Sequence, residues 1–189
     1  HTPSLAAALG YWLTNPHRRV LNCLPRPVVE RDTQFYYRWE AFMEANAGLA
    51  AMLPQSPFGS SYLSRMDSAP DIHTTLYWTQ VARLWVGQDI TLVRGSERSL
   101  TATKLMESPL PPKSVTEVLT PVRDGWSVAD ETFDKMEAAG NDVVVLCTGL
   151  MARPLVHRWV ADRLGYAWDL GHLGLYFDKG VPRPIAECR

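Results

Sequence analysis

Five apolar runs of strand length, Val20 to Cys23, Ile90 to Val93, Val115 to Leu119, Val143 to Cys147 and Ala167 to Leu170, recur along the chain with helical patterns between them. Several show no polar alternation, as expected of strands covered on both faces. A strand that returns through a helix to a parallel neighbour closes as a right-handed crossover. The alternation therefore restricts the chain to an α/β fold, and the expected architecture is a Rossmann-like three-layer sandwich around a mostly parallel sheet.

The helices are marked by apolar residues at spacings of three and four. Phe35, Trp39, Phe42 and Met43 share one face of a helix expected from about Thr33 to Ala51, and Ile72, Leu76, Val81, Leu84 and Trp85 line a second, ended by Gly87. Ser127 followed by Asp130 and Glu131 has the pattern of an N-cap with an acidic first turn. It would open a helix that carries Phe133 and Met136 and stops at Gly140. Leu155, Val156, Trp159, Val160 and Leu164 line a fourth helix closing at Gly165, with His157 expected on its polar face. Residues 54–70 and 108–113 are rich in Pro, Ser and Gly and read as irregular excursions. The expected domain is 1–177, with 178–189 as a tail.

Composition narrows the partners. The 189 residues suffice for one buried core without disulfides. With 19 basic residues against 20 acidic ones, interspersed along the chain, no concentrated basic field exists for a nucleic acid or an anionic membrane surface. No apolar run approaches the ~18 residues of a membrane span. No Lys/Arg-led signal peptide opens the sequence. Cys23 and Cys147 lie within apolar runs and read as buried thiols of a reducing cytoplasm. Most of the seven tryptophans fall on expected core faces.

In open α/β sheets, ligands bind beyond the carboxyl ends of the strands. Those ends carry Arg94-Gly95-Ser96-Glu97-Arg98-Ser99, Thr120-Pro121-Val122-Arg123-Asp124-Gly125, Thr148-Gly149 and Asp169-Leu170-Gly171-His172. Arg94, Arg98 and Arg123 suit a phosphate-bearing ligand, because a guanidinium offers planar paired donors and a fixed charge. Each is alternatively a solvated surface arginine. Gly95 and Gly149 either admit a phosphate to backbone N–H groups at a helix start or make tight turns. His172 is a base, a hydrogen-bond donor or a metal ligand, or simply a surface histidine. The absence of HExxH, CxxC, GxGxxG, GxxxxGK[ST] and GxSxG weakens zinc, dinucleotide, P-loop and α/β-hydrolase readings.

Four segments together resemble the GT-D fold glycosyltransferases, a bacterial family long known as a domain of unknown function. They are Tyr62-Leu63-Ser64-Arg65, the run from Leu84 to Gly95, Thr120-Pro121 with Trp126, and Leu164-Gly165-Tyr166-Ala167-Trp168-Asp169-Leu170-Gly171-His172. The resemblance runs from about Ser61 to Phe177. It implies transfer of a sugar from a nucleotide-sugar donor to a glycan or glycoprotein acceptor, with a divalent metal, Mn or Mg. Arg65, Arg94, Gly95, Glu97 and Arg98 would then contact the donor, as would Arg123, Thr148 and Gly149. Asp169 and His172 would orient the sugar or assist the acceptor.

Where the family loop reads Gly-Glu-x-Ser-Arg, this chain reads Gly95-Ser96-Glu97-Arg98-Ser99. The family's N-terminal Asp-Gly-Glu metal motif has no counterpart here, and the sequence begins at His1. The expectation is a truncated chain without metal ligands of its own. A competing class is a non-catalytic Rossmann-like module of a surface-glycan assembly system.

Overall fold

The structure, a computed structural model, describes residues 3–15, 17–21, 23–24, 44–45, 48, 59–60, 75–95, 100–163, 165–171 and 173. The chain divides into two compact units, His1–Leu63 and Ser64–Arg189. In the first, α1 (Pro3–Thr14) precedes β1 (Cys23–Leu24), which pairs in parallel with β2 (Gly59–Ser60). The first expected strand is thus realised as a pair of residues at its end. The helix expected from Thr33 to Ala51 and the tail 178–189 lie largely or wholly outside the described residues.

The second unit runs α2 (Thr75–Ala82), β3 (Asp89–Arg94), α3 (Ala102–Met106), β4 (Ser114–Leu119), α4 (Ala129–Ala139), β5 (Val143–Cys147), α5 (Ala152–Asp162) and β6 (Tyr166–Asp169). Its four strands form an all-parallel sheet in the order β4-β3-β5-β6. These strands match the last four expected runs to within a residue at each end.

Alternation along the buried strands sorts side chains to two faces. Ile90, Leu92, Val143, Val145 and Cys147 pack with Val81, Trp85 and Leu105 from α2, its following turn and α3. Val93, Val118, Val144 and Leu146 pack with Phe133 and Met136 of α4 and Leu155 and Trp159 of α5. The result is the expected three-layer sandwich. Trp85 is fully buried, and its indole N–H donates to the Leu110 carbonyl at 3.1 Å. Thr91, a polar residue within buried β3, accepts from the Asn141 amide at 3.1 Å, which satisfies its hydroxyl oxygen.

Two expectations are corrected. Ser127 does not cap α4: it lies inside a 3₁₀ turn, Gly125–Val128, where its hydroxyl donates to the Asp124 carbonyl at 2.8 Å. The cap position falls on Val128, while Asp130 and Glu131 do occupy the first turn and the helix stops at Gly140. His157 is not on a polar face but 3% exposed. Helix α5 buries Ala152, Pro154, Leu155, His157, Trp159 and Val160, so burial covers more of its circumference than its apolar stripe alone implies.

Candidate functional site

The strand order makes a topological switch point. From β3 the chain crosses to β4 on one side, then returns past β3 to β5 and β6 on the other. Connections diverge on opposite faces there, and it is beyond the carboxyl ends of such strands, here β3 and β5, that open α/β sheets form their ligand crevice. Arg94 is the last residue of β3, level with Leu119 of β4 and Cys147 of β5. One position further on, Thr120, Gly95 and Thr148 form the lip of the sheet. The Thr120 N–H still donates to the Arg94 carbonyl at 3.0 Å, extending the ladder by one step.

Arg94 is 8% exposed and reaches across to Glu117 with paired contacts, Nε to Oε1 at 2.8 Å and Nη2 to Oε2 at 3.0 Å. Glu117 Oε1 also accepts the Ala102 N–H at 2.8 Å, at the start of α3. The Arg94 guanidinium holds the Glu117 carboxyl below its ordinary pKa, with help from that N–H and against the opposing effect of burial. This side of the site is therefore a neutralised ion pair on the α3 face. Whatever Arg94 does for a ligand, much of its charge is already balanced.

The other face carries the helix starts. After β4, Asp124 has a left-handed φ of 53° and leads into the 3₁₀ turn Gly125–Val128 and then α4. After β5, Thr148 and Gly149, with φ 66°, lead into a second 3₁₀ turn, Gly149–Met151, and then α5. The two turns touch: a Cβ at Gly125 would stand 3.5 Å from Met151 Cε. Their backbone N–H groups form the electropositive ends of α4 and α5. Arg123 lies exposed just ahead of the first turn.

Two hydroxyls on this lip, Thr120 Oγ1 and Thr148 Oγ1, are buried without a hydrogen-bond partner among the described residues. Thr120 was visible in the sequence as half of a Thr-Pro pair, but nothing there marked its hydroxyl as unsatisfied. Its neighbour explains the geometry. A Cβ on Gly95 would come within 3.2 Å of Thr120 Oγ1 and 3.4 Å of the Pro121 carbonyl, so the lack of a side chain lets the end of β3 approach Thr120 this closely.

Asp169, at the end of β6, is exposed and accepts the Gly171 N–H at 3.1 Å. Burial, reinforced by the Asp169 carboxylate, pushes the Cys147 thiol up to about 12, against a smaller opposing effect of the Leu100 N–H. A thiol so rarely ionised is inert. In native protein at pH 8, peptide mapping after iodoacetamide treatment is expected to leave Cys147 unmodified, whereas the urea-unfolded chain reacts there fully.

Arg65, Glu97, Arg98 and His172 lie outside the described residues. The structure thus gathers Arg94, Gly95, Thr148 and Gly149 at the switch point, with Arg123 on a flanking loop and Asp169 at the end of the neighbouring strand β6. Among the described residues, no three His, Cys, Asp or Glu side chains group so as to hold a metal ion. A shallow groove along β4 and α4 is lined by Thr116, Glu117, Val118, Leu119, Lys135, Ala138 and Ala139. No described helix is long and apolar enough to cross a membrane.

The fold defined by this sheet order and its helix layers is a glycosyltransferase fold. Two solved structures of the domain of unknown function 1792, the first described as having a distinct glycosyltransferase fold, superpose with a TM-score of 0.76 at 24% identity, over 94% of this chain and 67% of theirs. A third, described as a new glycosyltransferase from Streptococcus sanguinis, superposes with a TM-score of 0.74 at 20% identity, over 94% of this chain and 70% of its own. No protein-family model and no curated protein matches the sequence.

Proposed function

We propose that the chain is a glycosyltransferase domain that binds a nucleotide-sugar donor across the carboxyl ends of β3 and β5 and passes the sugar to a glycan or glycoprotein acceptor. The observation that carries this reading is the topological switch point, with Arg94, Gly95, Thr148 and Gly149 at adjacent strand ends, within a fold shared with glycosyltransferase-fold structures. Transfer needs the departing diphosphate stabilised and both reactants positioned. In this reading, Arg123 and the N–H groups of the Gly149 turn meet the diphosphate. Gly95 gives the ligand close access to the sheet edge. Asp169 orients the sugar or takes the acceptor proton. The divalent metal of the resemblance, Mn or Mg, would balance diphosphate charge; no described residue is assigned to it. The reading places the protein in the cytoplasm.

Calorimetry with UDP, GDP and CDP, each with and without Mn²⁺, tests the reading. Binding of at least one is expected, with Arg123→Ala weakening it roughly tenfold through the loss of a charged donor. If none of the three binds under either condition, the non-catalytic module becomes the better reading.

A further inference from the structure

We infer that Thr120 is a ligand-binding residue and that the Thr120 and Thr148 hydroxyls, flanking Gly95, receive phosphate oxygens of the bound nucleotide. The inference rests on the nucleotide-sugar reading and specifies where within that site the anion sits: on the α4 and α5 face of the lip, not beside the Arg94–Glu117 pair.

Four observations converge. Thr120 is 9% exposed, and its hydroxyl has no partner among the described residues. Leaving such a group unsatisfied costs folding free energy, whereas a hydrocarbon of the same shape costs none. A threonine kept there is explained by a partner that arrives from outside. Second, the Thr148 hydroxyl is in the same condition on the other side of Gly95. With parallel strands ~4.8 Å apart, Cα atoms two strands apart stand roughly 10 Å from each other, so two hydroxyls can grip one anionic group from opposite sides. Third, Gly95 leaves the space between them without a side chain, and even a methyl there would press on Thr120 Oγ1 at 3.2 Å. Fourth, the 3₁₀ turns leading into α4 and α5, each an 11-residue helix, meet at Gly125 and Met151 and present N–H groups on this face. Hydroxyl donors under two helix starts select an oxyanion. Arg94, already paired, is instead a positioning residue that fixes β3 to β4.

The experiment uses Thr120→Val, which keeps the shape and removes the O–H, and Thr120→Ser, which keeps the O–H. Pyrophosphate alone and UDP, GDP and CDP, each with and without Mn²⁺, serve as probes in calorimetry, and thermal melting is measured on each variant. The valine variant is expected to bind both classes of probe at least tenfold more weakly while melting no lower than wild type. The serine variant is expected to retain wild-type affinity to within a few-fold, and Thr148→Val to behave like Thr120→Val. If nucleotides lose affinity and pyrophosphate does not bind even to wild type, the nucleoside is needed to bring the phosphates in, and the assignment stands. Should the valine variant melt lower, affinity measured well below its midpoint decides, with the serine variant as control. Wild-type affinity in Thr120→Val overturns the assignment and leaves the nucleotide-sugar reading intact. Failure of wild type to bind any probe overturns both.

Discussion

Glu117→Gln is expected to lower the free energy of unfolding by about 3 kcal/mol in urea denaturation, because it removes the charge that Glu117 sets against the buried Arg94 guanidinium. The carboxylate joins three elements at once, accepting paired donors from the end of β3 and an N–H from the start of α3 while standing on β4. The pH dependence has a definite sign. The folded pKa of Glu117 is depressed, so its contribution is fully present above the ordinary value of 4.5 and is lost as the pH falls through the folded value. The wild-type stability curve should therefore drop on its acid limb, and the glutamine variant should show a flatter one. A double-mutant cycle with Arg94→Met isolates the pair. Additive losses would mean that the contact is incidental.

Gly165→Ala is expected to cost roughly 3 kcal/mol or to prevent folding. A Cβ there would fall 2.3 Å from the Asp142 carbonyl oxygen and 2.9 Å from the Trp159 indole nitrogen. The first of these obstacles is backbone, and the same carbonyl accepts the Tyr166 N–H at 2.8 Å, which registers β6 on β5. The strand must shift or the pairing must break. Circular dichroism and thermal melting of the variant check this, and a wild-type midpoint would contradict the close approach.

Strands buried on both faces write themselves into a sequence as apolar runs, which is why β3 and β5 could be read so closely, while the half-exposed β4 and β6 were marked by their shorter apolar stretches. Sheet order could not be read, because parallel neighbours share no turn and leave no local mark. Even so, the rule that ligands gather beyond strand ends brought Arg94, Gly95, Thr148 and Gly149 into view. What stayed hidden were relations across the sheet. Nothing in the spelling of β4 shows that Glu117 stands beside Arg94, or that the Thr120 hydroxyl lacks a partner, since both depend on register. Ser127 misled for a similar reason: a serine followed by acids looks like a cap whether the helix begins there or after a 3₁₀ turn.

The switch point also has a kinetic meaning. β3 and β4 are joined by a short crossover, but β3 meets β5 only after the whole of β4 and α4 has been passed over, so that Ile90 finds Val143 and Arg94 finds Cys147. Such non-local pairings close late, because the chain entropy of the intervening loop is lost before the contact rewards it. The crevice between β3 and β5 thus comes into being with one of the slowest steps of assembly. A ligand bound beyond the ends of β3 and β5 would bridge the two neighbours that lie farthest apart in the sequence and is expected to slow unfolding.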